Sequence, residues 1–311
     1  MHVGSVLRKS QTKRCLEVNL KDYAYLVITG PTACGKTARA VEVAHAVGGE
    51  IVSADSRQVY RGMDLGTGKD LDEYGDVPVH MIDIVDAGEK YDLHRWLQGA
   101  RQAIADIRAR GHFPIVCGGT GLYIESLVTG LRLPEVPANP ELRRALASLT
   151  LEELTGMLRA MKPLHNTTDV DTCQRAVRAI EIQQYYKEHP ECDPYGHRSP
   201  ENAYVVGLEI GRDERRRRIT ERLYARLEHG MVQEVEGLLQ KGIPAENLIY
   251  YGLEYKYLTL FVMGKMTYDE MTQGLETAIH QFAKRQMTWF RGMERRGTPI
   301  HWQPYNLPVR V

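Results

Sequence analysis

The sequence predicts an α/β protein in which a parallel sheet is flanked by helices and interrupted by an inserted all-helical domain. Two observations carry this prediction. Short apolar runs alternate with segments of helical spacing from Tyr23 onward, and residues 134–201 show helical spacing without strand signals. Alternating strands and helices build a parallel sheet that is covered on both faces. Ligands of such sheets bind at the carboxyl ends of the strands.

The first elements follow the order strand, loop, helix, strand. Tyr25–Thr29 and Glu50–Ala54 are short apolar runs, and Lys36–Val47 between them has helical spacing. Further elements are predicted in chain order: a strand over Met81–Val85, a helix over Leu93–Arg110, strands over Phe113–Cys117 and Ala203–Ile210, helices from Asp213 to Arg295 with breaks near Gly230, Gly242–Pro244 and Gly264, and a short strand over Ile300–Trp302.

The sequence pattern changes from alternating strands and helices to helices alone where the inserted domain begins. Prolines stand at positions 134, 137 and 140, and Leu151, Leu154, Leu158 and Met161 then repeat at helical spacing. Because a strand pattern resumes afterwards, the insertion interrupts the sheet domain. The predicted domains are an N-terminal extension (1–22), an α/β domain (23–133 and 202–311) and a helical insertion (134–201).

The composition is that of a globular chain. Of 311 residues, 43% are hydrophobic and 26% charged, with a formal net charge of zero, which excludes a disordered chain and a uniformly basic coat. The five cysteines hold no C-x-x-C pair, so neither a disulfide framework nor a zinc site is indicated. Residues 1–22 are polar and basic, and no long apolar run occurs, so we expect no signal peptide and no membrane contact. We expect a cytoplasmic monomer.

A glycine-rich loop between the first strand and helix carries the strongest chemical signal. Its residues fit G-x-x-x-x-G-K-[ST] and are Gly30, Pro31, Thr32, Ala33, Cys34, Gly35, Lys36 and Thr37. Such a P-loop wraps phosphate with backbone N–H groups at a helix N-terminus, as in P-loop NTPase-like folds that bind ATP or related ligands. Lys36 offers a charge to terminal phosphates, and the Thr37 hydroxyl suits Mg²⁺. Cys34 is either an oxidisable thiol or a small spacer.

Asp55 directly follows the second strand, at the edge of the sheet where the P-loop is expected. A carboxylate there can act as a general base, although a helix cap or loop aspartate is the alternative reading of the position alone. Asp83 is a weak candidate for the metal-binding carboxylate of an NTPase. The strand Phe113–Cys117 ends in two glycines without a carboxylate, which tilts the prediction away from hydrolysis.

Five ordered blocks resemble the tRNA dimethylallyltransferase family. They are GPTACGKT (Gly30–Thr37), SADSRQVYRGMDLGTGK (Ser53–Lys69), IVCGGTGLYIESL (Ile115–Leu127), CQRAVRAIE (Cys173–Glu181) and AKRQMTWFR (Ala283–Arg291). The resemblance implies transfer of a dimethylallyl group from dimethylallyl diphosphate to N6 of the adenine 3′ to the anticodon, with release of diphosphate and assistance from Mg²⁺. The residues after Trp302 hold no Cys/His zinc module, so a bacterial-type member is expected.

The resemblance also implies roles for individual residues. Asp55 takes a proton from the exocyclic amine, and Arg222 and Thr32 join Lys36 and Thr37 in holding the leaving diphosphate. The residues implied to bind the tRNA anticodon stem-loop are Asp55, Ser56, Arg57, Gln58, Thr120, Arg143, Gln174, Arg175 and Arg178. Without the resemblance, Arg175 and Arg178 read as a solvated helix face.

Two further basic clusters, Arg215–Arg218 and Lys284–Arg285 with Trp289, suit RNA backbone and base stacking. Trp289 and Phe290 are alternatively core residues. The chain departs from the family pattern at three places: Gly66–Lys69 reads GTGK for GTAK, Gly252–Lys256 reads GLEYK for G-Y-[KR]-[EQ], and Ile279–Gln281 reads IHQ for TRQ.

Three other functions stay open from the sequence. The same P-loop and base would serve an enzyme that prenylates free adenine nucleotides, a reaction that has less need of an RNA-binding insertion. A P-loop kinase or NTPase would turn over ATP without a prenyl donor. A catalytically silent tRNA-binding protein would leave modification unchanged when Asp55 is replaced.

Overall fold

The computed structural model describes residues 18–164, 168–192 and 199–310. Its strands are β1 (Tyr25–Thr29), β2 (Gly49–Ser53), β3 (Tyr60–Arg61), β4 (Val79–His80), β5 (Val85–Asp86), β6 (Phe113–Gly118), β7 (Ala203–Glu209) and β8 (His301–Pro304). Its α-helices are α1 (Lys36–Val47), α2 (Leu93–Ala109), α3 (Gly121–Val128), α4 (Pro140–Leu146), α5 (Leu151–Met161), α6 (Cys173–Glu188), α7 (Arg212–Glu228), α8 (Met231–Gln240), α9 (Ala245–Tyr250), α10 (Leu253–Val262) and α11 (Tyr268–Arg295).

A six-stranded sheet with the order β4-β2-β6-β1-β7-β8 forms the centre of the fold. Every pair of neighbouring strands in it is parallel, so the predicted fold class, a parallel sheet flanked by helices, is confirmed. β6 lies between β1 and β2. The loops that follow these three strands therefore emerge at one edge of the sheet, where ligands of open α/β sheets bind.

The strand predicted over Met81–Val85 is wrong. Pairing instead occurs just before this run and at its last residue. β4 pairs with β2 in the main sheet, whereas β5, which begins at Val85, pairs with β3 in a separate two-stranded sheet. Met81 and Asp83 have φ angles of 67° and 53°, and such left-handed residues interrupt an extended strand. The other predicted strands and the helix over Lys36–Val47 lie within one or two residues of their observed bounds.

The chain divides into two compact units. The first comprises the described parts of Met1–Glu89, Gln102–Gly121 and Asn202–Val311, and the second those of Lys90–Arg101 and Leu122–Glu201. In the first unit all five residues of β1 are buried, and α1 packs beside them through Ala40, Val43 and Ala44. Burial of a Val, Leu or Ile side chain, such as those of β1, stabilises the folded state by roughly 1.5–3 kcal/mol.

The second unit has its own small core. α5 and α6 contribute Leu154, Leu158, Ala176 and Ile180 to it, all of them fully buried. Local signals start these helices: α5 begins with a capping box between Thr150 and Glu153, and the hydroxyl of Thr172 caps α6. The core and the caps together explain why this stretch is helical.

The N-terminal extension predicted over residues 1–22 lies largely outside the described residues. Leu20–Asp22 form a short 3₁₀ turn capped by Asn19, and Leu20 is buried against the core of the first unit. Within the described ranges, no helix combines the length and the apolar character that crossing a bilayer requires.

Candidate active site

The P-loop leaves the sheet at the end of β1 and turns into α1. Gly30 has a φ of 151°, and a Cβ at this position would lie 2.9 Å from both Cys34 Sγ and Leu208 O. Gly35 has a φ of 76° and precedes α1 without a side-chain cap. Both positions therefore require glycine, and the first turn of α1 keeps backbone N–H groups for an anion.

Hydrogen bonds to Lys36, within the loop, and to Gln286, on α11, fix the conformation of the P-loop. The Lys36 ammonium donates to Pro31 O at 2.9 Å. The backbone N–H of Thr32 donates to Gln286 Oε1 at 2.8 Å, and Gln286 Nε2 donates to Gly119 O at 3.0 Å. Gln286 is buried and thus ties the P-loop to the end of β6. In the sequence, Gln286 stands within the AKRQMTWFR block, and no local pattern indicates this role for it.

Three arginines form a row on one face of α7, and the first two of them contact the P-loop. They stand at i, i+4 and i+8, a spacing that places their side chains in one row. Arg218 Nε donates to Ala33 O at 2.9 Å, Arg222 donates to the Thr32 hydroxyl, and Arg226 pairs with Asp70 at 2.6 Å. Arg222, which the resemblance implies to hold the leaving diphosphate, therefore contacts the P-loop, and its role towards diphosphate stays a prediction.

The charge of Arg222 is less stabilised in its surroundings than it would be in water, although Asp70 and Glu254 partly compensate. Burial lowers the pKa of Arg222 to about 10, and the positive charge of Arg226 adds to this effect. An arginine held partly out of water beside a second arginine is stabilised when a phosphate enters. The described contacts of this row with the P-loop are to neutral oxygens, at Ala33 and Thr32.

Asp55 lies just beyond β2, at the same edge of the sheet. Its Oδ1 accepts a hydrogen bond from the backbone N–H of Arg57 at 2.8 Å. Thr120 holds the adjoining backbone, since its Oγ1 accepts from Ser56 N at 3.1 Å and its N–H donates to Ala54 O at 3.2 Å. The carboxylate thus sits on a short turn that is tied to the loop after β6.

Gln58 and Lys69 hold the segment that follows Asp55. The Gln58 amide donates to Gly68 O at 2.9 Å and accepts from Ser53 Oγ at 3.0 Å. The buried Lys69 ammonium contacts Asp64, at 2.6 Å, and Asp83. Asp83, considered above as a metal ligand, therefore serves as a structural counter-ion here.

The GTGK departure also has a packing reason. A Cβ at Gly68 would lie 2.5 Å from Arg226 Nη2, and the φ of Gly68 is 65°. Glu234 secures the same loop by accepting the backbone N–H groups of Asp64, Leu65 and Gly66 at 2.7–3.1 Å. Glycine at position 68 makes room for the third arginine of the row.

Thr37 and Tyr74 are hydrogen-bonded through their hydroxyls, and burial raises the pKa of Tyr74 far above its usual value. A threonine hydroxyl is uncharged at neutral pH, so Thr37 offers a neutral oxygen ligand at the end of the P-loop. Such a donor fits Mg²⁺, which is commonly held by one or two protein oxygens together with substrate phosphates and water.

The departures from the family pattern at Gly252–Lys256 and Ile279–Gln281 also lie in the first unit. Glu254 is half-buried, and burial raises its pKa, while Arg222 and Arg226 oppose this shift. Within the described residues, His280 Nδ1 is buried without a hydrogen-bond partner, and its Nε2 lies 3.5 Å from Glu276. In the described part of the chain, neither Glu254 nor His280 forms a hydrogen bond or an ion pair with the P-loop.

The predicted tRNA-binding residues of the second unit form ion pairs. Arg143 and Arg178 both bind Glu181, the former at 2.8 Å. Arg175 pairs with Asp171 at 2.5 Å, and Gln174 is exposed. Arg143 and Arg175 keep 46% and 52% of their side chains exposed, so contact with RNA stays a prediction that the ion pairs do not prevent.

The two basic clusters divide between structural and surface positions. Arg218 lies against the P-loop, whereas Arg217 is exposed and pairs with Glu214 and Glu221. Phe290 is fully buried, as the core alternative predicted, but Trp289 is 39% exposed. Its ring packs against Gly121.

Comparison with known proteins agrees with this geometry. The IPP transferase family model matches residues 58–293, and the isopentenyl transferase model matches residues 23–74. The chain is 57% identical to tRNA dimethylallyltransferase 1 of Porphyromonas gingivalis, over 91% of this chain and 95% of that protein. It is 55% identical to tRNA dimethylallyltransferase 2 of Bacteroides fragilis, over 94% and 96%.

Solved structures show the same relationship. The tRNA isopentenylpyrophosphate transferase of Bacillus halodurans is 32% identical, with a TM-score of 0.66 over 90% of this chain and 89% of that one. A eukaryotic dimethylallyltransferase acting on tRNA shares the fold, with a TM-score of 0.76 at 23% identity over 90% of this chain and 73% of that one. From these matches and the P-loop geometry we conclude that the chain belongs to the tRNA dimethylallyltransferase (IPP transferase) family.

Proposed function

We propose that this protein modifies tRNA by transferring a dimethylallyl group from dimethylallyl diphosphate to N6 of the adenine 3′ to the anticodon. The observation that carries the proposal is the row of arginines on α7, two of which contact the P-loop, with Asp55 at the same edge of the sheet. The row supplies positive charge for a diphosphate, and Asp55 supplies a base for the incoming amine.

In the reaction, the allylic C–O bond of the donor breaks and its electron pair leaves with diphosphate. N6 of adenine forms the new C–N bond, and Asp55 accepts the proton that the amine loses. Negative charge grows on the leaving oxygens, so Lys36, Arg222 and the N–H groups of the P-loop bind the transition state more tightly than the donor. Each such donor contributes about 3–4 kcal/mol.

Mg²⁺, when bound through the Thr37 hydroxyl and the diphosphate, would add charge neutralisation at the leaving group. The tRNA anticodon stem-loop is the acceptor, and Ser56, Arg57, Thr120 and the arginines of α4 and α6 are candidates to contact it. The target base must leave its stack to reach a carboxylate at a sheet edge. A tRNA substrate is consistent with a cytoplasmic location and with action as a monomer, both of which stay predictions.

Label transfer tests the proposal. Labelled dimethylallyl diphosphate is incubated with unmodified anticodon stem-loop RNA and Mg²⁺, and product is counted for wild type, Asp55→Asn and Lys36→Ala. We expect wild type to label the RNA and Asp55→Asn to be slower by at least about 100-fold, because a general base contributes 10²–10⁴-fold. Asp106→Asn, at an exposed aspartate of α2, is the matched control and should retain activity.

Three outcomes would overturn the proposal or a part of it. Label on AMP but not on RNA would replace it with an enzyme of free adenine nucleotides. Turnover of ATP without any prenyl donor would replace it with a kinase or NTPase. Equal rates for wild type and Asp55→Asn would remove Asp55 from the chemistry.

A further inference from the structure

Tyr250 is an exposed aromatic residue at the end of α9. Its side chain is 70% exposed, the highest value among the large apolar side chains of the described residues. Exposing an aromatic ring to water is unfavourable. An aromatic ring that stays exposed on an ordered segment therefore invites the question of what covers it.

The segment that carries Tyr250 is anchored rigidly. The next residue, Tyr251, is buried and its ring lies 4.4 Å from the ring of Tyr60. The Tyr251 hydroxyl accepts from Gly88 N at 2.6 Å and donates to Glu89 O at 3.3 Å. Tyr250 is thus presented at a defined place, which lowers the entropy cost of binding through it.

Arg57 connects this ring to the catalytic turn. The guanidinium carbon of Arg57 lies 5.8 Å from the centre of the Tyr250 ring, within the range of a cation–π contact. The backbone N–H of the same residue donates to Asp55 Oδ1 at 2.8 Å. The Arg57 cation therefore lies over the Tyr250 ring, and Arg57 is two residues along the chain from the proposed base.

We propose that Tyr250 and Arg57 form a stacking platform for an unpaired nucleobase of the acceptor RNA. The inference rests on the proposed function and names a further acceptor-binding site for it. Aromatic rings and guanidinium planes are the surfaces on which single-stranded bases stack, and arginine also attracts the phosphates beside them. Tyr250 makes no described contact with the P-loop, so the platform serves the acceptor and not the donor.

Binding and kinetics of three variants test the platform. Tyr250→Ala removes the ring, Tyr250→Phe keeps it, and Tyr268→Ala removes another tyrosine, 46% exposed, on α11 of the same unit. The dissociation constant for unmodified anticodon stem-loop RNA is measured by fluorescence anisotropy. kcat and the KM of each substrate are measured by label transfer, and thermal melting verifies that each variant is folded.

We expect Tyr250→Ala to raise both the RNA dissociation constant and the KM for RNA by roughly tenfold. The KM for dimethylallyl diphosphate and kcat at saturating RNA should change less than about twofold, and Tyr250→Phe and Tyr268→Ala should resemble wild type. Equal RNA affinity of Tyr250→Ala and Tyr268→Ala would overturn the platform, as would a change confined to the donor KM.

The two proposals fail in different ways. The anisotropy measurement needs no catalysis, so an RNA that binds but gains no label would count against the proposed reaction while the Tyr250 comparison still decides on the platform. Absence of RNA binding by wild type would overturn both proposals.

Discussion

Arg222 combines two properties at the scale of a single residue: it donates to the Thr32 hydroxyl, and burial lowers its pKa to about 10. It therefore remains charged at neutral pH, but it is less stabilised than an arginine in water. A leaving diphosphate restores that lost stabilisation. We infer that the charge of Arg222 contributes more to the transition state than to the free enzyme.

Replacement of Arg222 by lysine should therefore impair the chemical step. Lysine keeps the charge but not the planar fork of donors, so we expect Arg222→Lys to lower kcat by about 100-fold with little change in the KM for RNA. Single-turnover label transfer measures the effect. Arg217→Lys, at an exposed arginine of the same helix, should leave kcat unchanged, and wild-type kcat in Arg222→Lys would contradict the prediction.

At the scale of elements, Glu181 links α4 to α6. Its side chain is only 2% exposed. Burial by itself would raise the pKa of Glu181, but hydrogen bonds from Arg143, the backbone N–H of Asn139 and Arg178 lower it to about 2. The buried carboxylate is thus held in its charged form by donors on both helices and on the preceding loop.

Loss of this charge should destabilise the second unit in a pH-dependent manner. Because the pKa is lower in the folded than in the unfolded chain, the stabilisation is complete above about pH 4.5 and is lost as the pH falls towards 2. Glu181→Gln should lower the free energy of unfolding at pH 7 by about 2–3 kcal/mol, less than the full shift implies because the arginines are partly exposed.

Urea unfolding between pH 7 and pH 3 measures this effect. The difference between wild type and Glu181→Gln should shrink as the pH falls. Glu152→Gln, at an exposed glutamate of α5, should show no such difference. A gap between wild type and Glu181→Gln that stays constant with pH would indicate lost packing and not lost charge.

At the scale of the whole molecule, the sheet order assembles the site. β1 and β2 flank β6, so the P-loop, the Asp55 turn and the loop after β6 meet at one edge. α7 and α11, which come much later in the chain, then contribute the arginine row and Gln286. A ligand that binds there joins distant segments and should stabilise the folded state as a whole.

Pyrophosphate should therefore raise the melting temperature. At 100 times its dissociation constant a ligand stabilises the folded state by about 2.7 kcal/mol, which corresponds to a shift of several degrees. Differential scanning fluorimetry with Mg²⁺ and pyrophosphate measures the shift against NaCl of equal ionic strength. Lys36→Ala should lose most of it, and an equal rise in that variant would place pyrophosphate outside the P-loop.

Much of this protein follows from local sequence. The P-loop, its flanking strand and helix, and the position of Asp55 after β2 depend on residues close together in the chain, because glycine conformation, helix spacing and apolar runs are local properties. The breaks near Gly230, Gly242–Pro244 and Gly264 were predictable for the same reason. The break at Tyr251 and Gly252 was not predicted, although Gly252 is a local signal for it, with a φ of 137°.

Tertiary structure decided the rest. Arg218 meets Ala33 across 185 residues, and Gln286 meets Thr32 across 254, separations at which no local pattern reports a contact. The interruption of Met81–Val85 likewise reflects the positive φ angles of Met81 and Asp83, where Asp83 binds the buried Lys69. The sequence by itself determined the position and the motif of the P-loop, whereas only the folded chain decided which distant side chains surround it, because side-chain proximity is set by packing.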